Sequence, residues 1–284
     1  MLRIVTDGAA DLALGWDKEY DINVIPINVH FGEKTFLQYE ELDNEGFYKL
    51  VDETRNIPKT SQPSPHQFVE FYKKIAEAGD TILSIHVTSK LSGTYASAVT
   101  AVQEVKDLFK VVPFDSAGGS MGIGFMCRAA RMMEKAGKNV EEIVKYLEDV
   151  RDKVSITLTL NTLDYARMSG RVGALSAALA SILNVKPIAV LQNGLINMVD
   201  KVRTRKSALE RVLEMGKEAF GDRLVYVGVL QARDPEAGMS LLDEAKKRFN
   251  IKEAFISELS ISLAANLGPG TVGLVLYPAN GEEV

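Results

Sequence analysis

The fold is decided by the stretch Thr81-Ile82-Leu83-Ser84-Ile85-His86-Val87, which is followed by the turn Ser89-Lys90-Leu91-Ser92-Gly93 and by residues 94–105. The apolar run is typical of a buried strand, and the segment after the turn has the pattern of a helix. A strand, a polar turn and a helix in this order form a βα unit, with the turn at the carboxyl end of the strand. Because free backbone N–H groups and the positive end of the helix dipole meet at this corner, we expect it to bind an anion.

A second hydroxyl-rich turn, Lys59-Thr60-Ser61-Gln62-Pro63, precedes another predicted helix. Ser64 is expected as the N-cap of that helix, with Pro65 at its first position and Gln67 at its third, which is a capping-box arrangement. A cap or a turn explains each hydroxyl taken alone. Caps do not require a run of hydroxyls in two successive units, so the sequence predicts an acid-binding site that contains Thr60, Ser61 and Ser92.

Apolar runs rich in β-formers alternate with amphipathic segments along the whole chain, which favours βα units and a mostly parallel sheet. Strands are predicted at 2–6, 24–29, 81–87, 109–113, 154–160, 187–191, 195–199, 224–230, 254–258 and 272–277. Helices are predicted at 43–51, 65–78, 94–105, 121–135, 140–150, 162–168, 174–183, 207–220 and 235–249. Asn193-Gly194 is the strongest hairpin signal in the chain. We expect two α/β domains with mostly parallel sheets, residues 1–150 and residues 151–284.

The amino-acid composition indicates a globular protein and disfavours a membrane or disulfide-rich protein. The chain has 284 residues with 46% hydrophobic content, which is enough for a sizeable core. No run approaches the roughly 20 apolar residues of a membrane span, and the first residues lack the apolar core of a signal peptide. The single cysteine, Cys127, lies in an apolar helical run and cannot form an internal disulfide. We expect a protein of the cytoplasm that is not inserted in the membrane.

Several kinds of site are disfavoured. The net charge of −5 comes without a basic face, which disfavours nucleic-acid binding. The three histidines lack metal-ligand spacing, so no metal and no cofactor are expected. The segment from Gly268 to Gly273 matches G-x-G-x-x-G, but a strand follows it where dinucleotide binding needs a helix. Ser92 has no nucleophile-elbow context and His86 is interpreted as a core histidine, so no catalytic set is expected.

Asp7 and a group of basic residues leave alternatives open. Asp7 follows the first predicted strand, where it fits either an Asx-turn or cap, or a ligand at the edge of the sheet. An enzyme acting on a small phosphorylated or carboxylated metabolite, with Asp7 as metal ligand or acid, is therefore one hypothesis. Arg171, Arg203 and Arg205 fit a solvated surface or a docking patch for an acidic partner or phosphate groups. The small-residue helix 174–183 fits core packing or a slot for a narrow apolar ligand.

Seven motifs in register resemble the DegV family over essentially the whole chain. These motifs are Ile4-Val5-Thr6-Asp7, Thr60-Ser61-Gln62-Pro63, Ser84-Ile85-His86 with Ser89-Lys90-Leu91-Ser92-Gly93-Thr94-Tyr95, Ser169-Gly170-Arg171, Val185-Lys186-Pro187, Lys201-Val202-Arg203 and Gly268-Pro269-Gly270. The resemblance implies a bacterial two-domain α/β protein that encloses one long-chain fatty acid between its domains. It also implies a non-catalytic subunit of a fatty acid kinase, which presents the carboxylate to a separate ATP-binding subunit for acyl phosphate formation.

The resemblance also implies roles for single residues. Thr60 and Ser92 match the hydroxyls that hold the carboxylate, and Gly93 offers a backbone N–H beside them. Arg171 and Arg203 match basic positions implicated in meeting the kinase partner.

The chain departs from the family pattern in two places. It has Asp7-Gly8 where many members have Asp-Ser, and Asn266 where many have histidine. Asn266 is still expected at the carboxylate, because its amide donates hydrogen bonds, but it carries no positive charge. A lipid sensor or carrier without a kinase partner is therefore a further hypothesis.

Overall fold

A computed structural model describes residues 1–171 and 185–279. Its strands in chain order are β1 Leu2–Asp7, β2 Ile22–Ile25, β3 Asn28–Phe31, β4 Lys34–Leu37, β5 Lys59–Ser61, β6 Thr81–His86, β7 Lys110–Asp115, β8 Ser155–Thr159, β9 Lys186–Gln192, β10 Leu195–Val202, β11 Leu224–Gln231, β12 Asn250–Glu258 and β13 Val272–Pro278. Its helices are α1 Trp16–Glu19, α2 Asn44–Thr54, α3 Pro65–Ile75, α4 Thr94–Val105, α5 Met121–Lys135, α6 Val140–Arg151, α7 Asp164–Ser169, α8 Arg205–Phe220, α9 Pro235–Arg248 and α10 Ile261–Leu267. The α/β class is confirmed.

The first large sheet is parallel, as expected from the βα pattern. Its strand order is β2-β1-β6-β7, and all three strand pairs are parallel. The strand predicted at 81–87 and the helix predicted at 94–105 are both confirmed, because residues 81–86 form a strand and residues 94–105 form a helix. The carboxyl ends of β1 and β6 therefore open at the same edge of the sheet.

A three-stranded antiparallel sheet, ordered β4-β3-β5, was not predicted. The predicted strand 24–29 is wrong as one element, because Ile22–Ile25 pairs with β1 whereas Asn28–Phe31 pairs with β4 and β5. Pro26 lies between the two strands, and a proline cannot donate to a sheet ladder. Residues 59–61, predicted as a turn, form the edge strand β5.

The second large sheet corrects the expectation of mostly parallel strands. Its order is β10-β9-β8-β13-β11-β12, and only the pair of β11 and β12 is parallel. A parallel pair needs a crossover connection, and α9 supplies one between β11 and β12. The prediction of mostly parallel strands is therefore wrong for this sheet.

The hairpin predicted at Asn193-Gly194 is confirmed. It joins β9 to β10, and the two turn residues have φ of 52° and 76°. Positive φ at both positions is what a two-residue type I′ turn requires. The predicted helix 174–183 lies outside the described residues.

Helix α5 lies between the two large sheets and contacts β1 on one side and β13 and β11 on the other. Its side chains are buried on most of its faces, and one apolar cluster joins Ile4 and Leu83 to Leu158 and Val275. The first sheet comes from residues 2–115 and the second from residues 155–278. No helix in the described ranges is long and apolar enough to cross a membrane.

Candidate ligand-binding site

A cavity opens where the carboxyl ends of β1 and β6 meet β5, β10 and α10, with about 620 Å³ of empty space that includes its opening to solvent. Its apolar lining comes from both parts of the chain, and comprises Ala9, Ile27, Val87, Leu91, Ile196, Leu263 and Leu267. Its polar lining comprises Thr60, Ser61, Gln62, Ser92, Arg171, Ser262 and Asn266. An apolar cavity with a few polar groups at one place is the usual form of a small-molecule site.

The two hydroxyl-rich turns meet at this cavity. Both Thr60 and Ser92 line it, although Thr60 lies on β5 and Ser92 lies in the turn before α4. Gln62 connects the turns, because its side chain lies directly over Gly93, where an added Cβ would stand 2.7 Å from Gln62 Nε2. The glycine at position 93 therefore allows the turns to approach each other, and Gln62 is a contributor that sequence reasoning missed.

The Ser92 hydroxyl lies at the start of α4. Ser92 Oγ is 2.8 Å from Thr94 Oγ1 and accepts a hydrogen bond from the Thr94 backbone N–H over 3.3 Å. This local arrangement fixes the hydroxyl beside the positive end of the helix dipole, where an anion is favoured. Gly93 is the N-cap of α4, and because glycine has no side chain it makes no side-chain capping hydrogen bond.

Asn266 reaches the same polar corner from α10. Its Nδ2 lies 3.5 Å from Thr60 Oγ1 and also donates to the carbonyl oxygen of Ser262. Ser262 Oγ in turn donates to the carbonyl oxygen of Gly8 over 3.0 Å. Ser262 was missed in the sequence, where Ser260 at the N-cap of α10 and Ser262 in its first turn are a usable signal for polar groups at a corner.

Ser61 lines the cavity, but its hydroxyl is engaged elsewhere. Ser61 Oγ lies 2.8 Å from His30 Nε2, and His30 Nδ1 lies 2.8 Å from Thr35 Oγ1. Successive strand residues point to opposite faces, so Thr60 and Ser61 on β5 present their side chains in different directions. The structure therefore brings the Thr60 hydroxyl, and not the Ser61 hydroxyl, next to Asn266.

Asp7 is fully buried and acts as a local acceptor. Its Oδ1 accepts from the Ala9 backbone N–H over 2.9 Å, which is an Asx-turn, one of the alternatives that the sequence left open. Its Oδ2 accepts from the Val87 backbone N–H over 3.0 Å and lies 3.0 Å from His86 Nδ1. Asp7 thus fixes Ala9 and Val87, both of which line the cavity.

His86 is a buried core histidine, as interpreted from the sequence. Its Nε2 lies 2.7 Å from Ser84 Oγ, which lies 2.9 Å from the Tyr72 hydroxyl. The order serine, histidine and aspartate looks like a catalytic triad, but Ser84 and His86 have no exposed surface. A substrate cannot reach this serine. In residues 1–171 and 185–279, no group of three His, Cys, Asp or Glu side chains could hold a metal ion.

The three arginines predicted to dock a partner have different surroundings. Arg171 is exposed, lines the cavity and donates to the carbonyl oxygen of Ser169 over 2.6 Å. Arg203 is exposed just after β10. Arg205 Nη2 donates to Asp234 Oδ2 over 2.7 Å, so its guanidinium already forms an ion pair at the start of α8.

Asp11 is a second buried carboxyl, and it lies outside the cavity lining. Its Oδ1 accepts from the Ser260 backbone N–H over 2.8 Å, and its Oδ2 accepts from the Ser120 hydroxyl. Burial raises the pKa of Asp11 to about 6. The hydrogen bonds from Ser120 and Ser260 lower this pKa, but their effect is smaller than that of burial. Asp11 therefore joins the loop after β1 to the residues before α10.

Comparison with known proteins places these features in a family. A model of the DegV family, described as uncharacterised proteins, matches residues 1–279. A curated relative from Thermotoga maritima named fatty acid-binding protein is 34% identical over 282 residues, which cover 96% of each chain.

Two solved structures are also similar across the whole chain. A DegV family protein from Thermus thermophilus, whose structure is described as showing fatty acid binding, is 30% identical to this chain with a TM-score of 0.90. The match covers 98% of this chain and 99% of that protein. DegV from Bacillus subtilis, described as a fatty acid binding protein, is 29% identical with a TM-score of 0.84 over 98% of this chain and 99% of its own.

Proposed function

Because the chain belongs to the DegV family, we propose that it binds one long-chain fatty acid in the cavity between β5, β10 and α10. The Thr60 and Ser92 hydroxyls hold the carboxylate, with the Gly93 backbone and Asn266 beside them, and the apolar lining holds the tail. The single observation that carries the proposal is that the two hydroxyl-bearing turns, with Thr60 and Ser92, line one cavity that also has apolar walls. Residues 1–150 and 151–284 are proposed as two domains that enclose the acid.

The tail and the head contribute differently to binding. Burying about 14 methylenes at ~0.8 kcal/mol each gives a gross contribution of about 11 kcal/mol. Each hydrogen bond to the charged head adds roughly 1.5–3 kcal/mol. Ordering the chain and the ligand reduces the net affinity well below this sum. The tail therefore sets most of the affinity, whereas the hydroxyls set where the carboxylate lies.

We propose that the protein has no catalytic activity of its own and presents the acid, in the bacterial cytoplasm, to a separate ATP-binding kinase subunit. In that reaction a carboxylate oxygen attacks the γ-phosphorus of ATP, and ADP leaves as the acyl phosphate forms. Neutral hydroxyl donors support this role, because a tight ion pair with lysine or arginine would lower the nucleophilicity of the oxygen. Arg171 and Arg203 are proposed to contact the kinase, with Arg205 held nearby by Asp234.

The binding proposal is tested by extracting the purified protein under denaturing conditions and measuring the released lipids by mass spectrometry. We expect a fatty acid in a ratio near one to one. A protein that releases no fatty acid, and that also fails to bind added palmitate, contradicts the proposal.

The kinase proposal needs a separate experiment. Purified protein, ATP, a fatty acid and a DegV-partner kinase subunit are mixed, and acyl phosphate is trapped with hydroxylamine. Formation of the hydroxamate supports presentation to the kinase. Failure beside a working family member favours a lipid sensor instead, an alternative that Asn266 supports because it lacks an ionisable imidazole.

A further inference from the structure

The tip of the β9–β10 hairpin packs against the turn that carries Ser92. Thr88 Oγ1 donates a hydrogen bond to the carbonyl oxygen of Gly194 over 3.0 Å, and Lys90 Nζ donates one to the carbonyl oxygen of Asn193 over 2.8 Å. The two turns belong to different sheets. The contact is therefore made between the parallel sheet and the mixed sheet, beside the turn that carries Ser92.

The residue at position 194 must be glycine for two separate reasons. Its φ of 76° lies in the left-handed region that disfavours other residues. An added Cβ would also stand 2.4 Å from Thr88 Oγ1, closer than Cβ atoms come to other heavy atoms, so Thr88 or the hairpin would have to shift. Gly137, by comparison, has a φ of 85° but nothing within 4 Å of an added Cβ. The close approach of the hairpin, and not the turn alone, thus distinguishes Gly194.

Thr88 is the residue on which the acid-binding turn is built. Its carbonyl oxygen accepts from the backbone N–H groups of Leu91 and Ser92, each over 3.2 Å. Its Oγ1 accepts from the Lys90 N–H over 3.3 Å, and Thr88 is almost fully buried. A displacement of Thr88 therefore moves the backbone and the hydroxyl of Ser92.

We propose that Asn193 and Gly194 form a positioning element of the carboxylate site, which fixes the Ser92 hydroxyl by acting through Thr88. This inference rests on the proposed fatty acid binding and adds a site component from the second half of the chain. Neither residue lines the cavity. Disturbing the hairpin tip should therefore weaken recognition of the acid head while leaving the burial of the tail unchanged.

The test compares the affinities of palmitic acid and 1-hexadecanol, which share a tail but differ in the head. In Gly194→Ala we expect the affinity for the acid to fall about tenfold, as for loss of one hydrogen bond to a charged group, and the affinity for the alcohol to change less than about twofold. Gly137→Ala, with similar backbone strain and no contact, should change neither affinity. Displacement of a fluorescent fatty acid measures both ligands.

A second variant guards against misfolding of the first. Thr88→Val keeps the shape of the side chain but removes its hydrogen bonds to Gly194 and to the Lys90 N–H, so it should show the same selective loss for the acid. If Gly194→Ala does not fold, Thr88→Val alone decides. An equal loss for both ligands, or no loss for either, overturns the inference. Wild-type protein that binds neither ligand contradicts the proposed function instead.

Discussion

Asn266 and Thr60 line the cavity side by side, with Asn266 Nδ2 3.5 Å from Thr60 Oγ1. The amide also donates to the Ser262 carbonyl oxygen, so α10 holds it firmly in place. An amide donates to a carboxylate without supplying charge. At this position the chain therefore offers the ligand head a neutral group.

A negative charge at position 266 should expel the acid. In Asn266→Asp, a second carboxylate would stand beside the ligand carboxylate, and like charges at this distance repel. We expect the affinity for palmitate to fall more than about tenfold at pH 7.5 and to recover in part at pH 5, where one carboxyl takes up a proton. Titration of palmitate at both pH values measures this. Asn266→Ala should lose only a few-fold in affinity; equal losses in the two variants contradict a carboxylate at this corner.

Arg171 and Arg203 should differ in their effect on lipid affinity. Arg171 lines the cavity, whereas Arg203 does not. Arg171→Ala should weaken palmitate binding about threefold at low salt and less at high salt, since an exposed charge contributes about 0.2–1 kcal/mol. Arg203→Ala should leave the affinity unchanged. Calorimetry at two ionic strengths checks both, and a larger loss in Arg203→Ala than in Arg171→Ala would sink this assignment.

Asp11 should make the protein less stable as the pH rises from about 4 to about 6. Burial raises the pKa of Asp11 from its usual value of 3.8 to about 6. Between these values the folded protein keeps a proton that the unfolded chain releases, so the free energy of unfolding falls as the pH rises. The total fall is about 3 kcal/mol at ~1.4 kcal/mol per pKa unit.

The matched variant is Asp11→Asn, which cannot ionise. Its free energy of unfolding should lack this fall, so the wild type should lose stability relative to Asp11→Asn between pH 4 and pH 7.5. Urea unfolding at four pH values measures the difference. A difference that stays constant over this range contradicts the assignment.

Replacing Asp7 should cost stability. Both oxygens of Asp7 accept from N–H groups, among them those of Ala9 and Val87. In Asp7→Asn one of these donors would face an NH2 group, which costs about 1–3 kcal/mol for an unsatisfied buried donor. Urea unfolding checks this, with the exposed Asp17→Asn as control. Equal stability of Asp7→Asn and the wild type would show that the acceptor role is unimportant.

The sequence predicts most elements of the fold but not how the second sheet is assembled. The run 81–87 and the Asn193-Gly194 turn are recognisable because a strand pattern and a two-residue turn are local signals. The direction of β8 and β13 depends on how distant segments pair, which neither strand encodes by itself. The strand β5 has only three residues, too few for a periodic pattern, and is formed by its pairing with β3.

The candidate site is predictable only in part for the same reason. Thr60 and Ser92 stand out because hydroxyls cluster in turns before helices. Gln62, Ser262 and Gly194 take their positions from contacts between segments remote in sequence. Ser61 also lines the cavity, but its hydroxyl pairs with His30, a contact that the sequence of the turn does not reveal.

The most direct test of a fatty carboxylate held by Thr60 and Ser92 is the ¹³C NMR spectrum of palmitate labelled at its carboxyl carbon and bound to the protein. We predict one bound resonance, which shifts in Thr60→Val and in Ser92→Ala but not in Ser89→Ala, since Ser89 is exposed and lies outside the cavity lining. The absence of a bound resonance, or a resonance that neither Thr60→Val nor Ser92→Ala changes, would contradict the account.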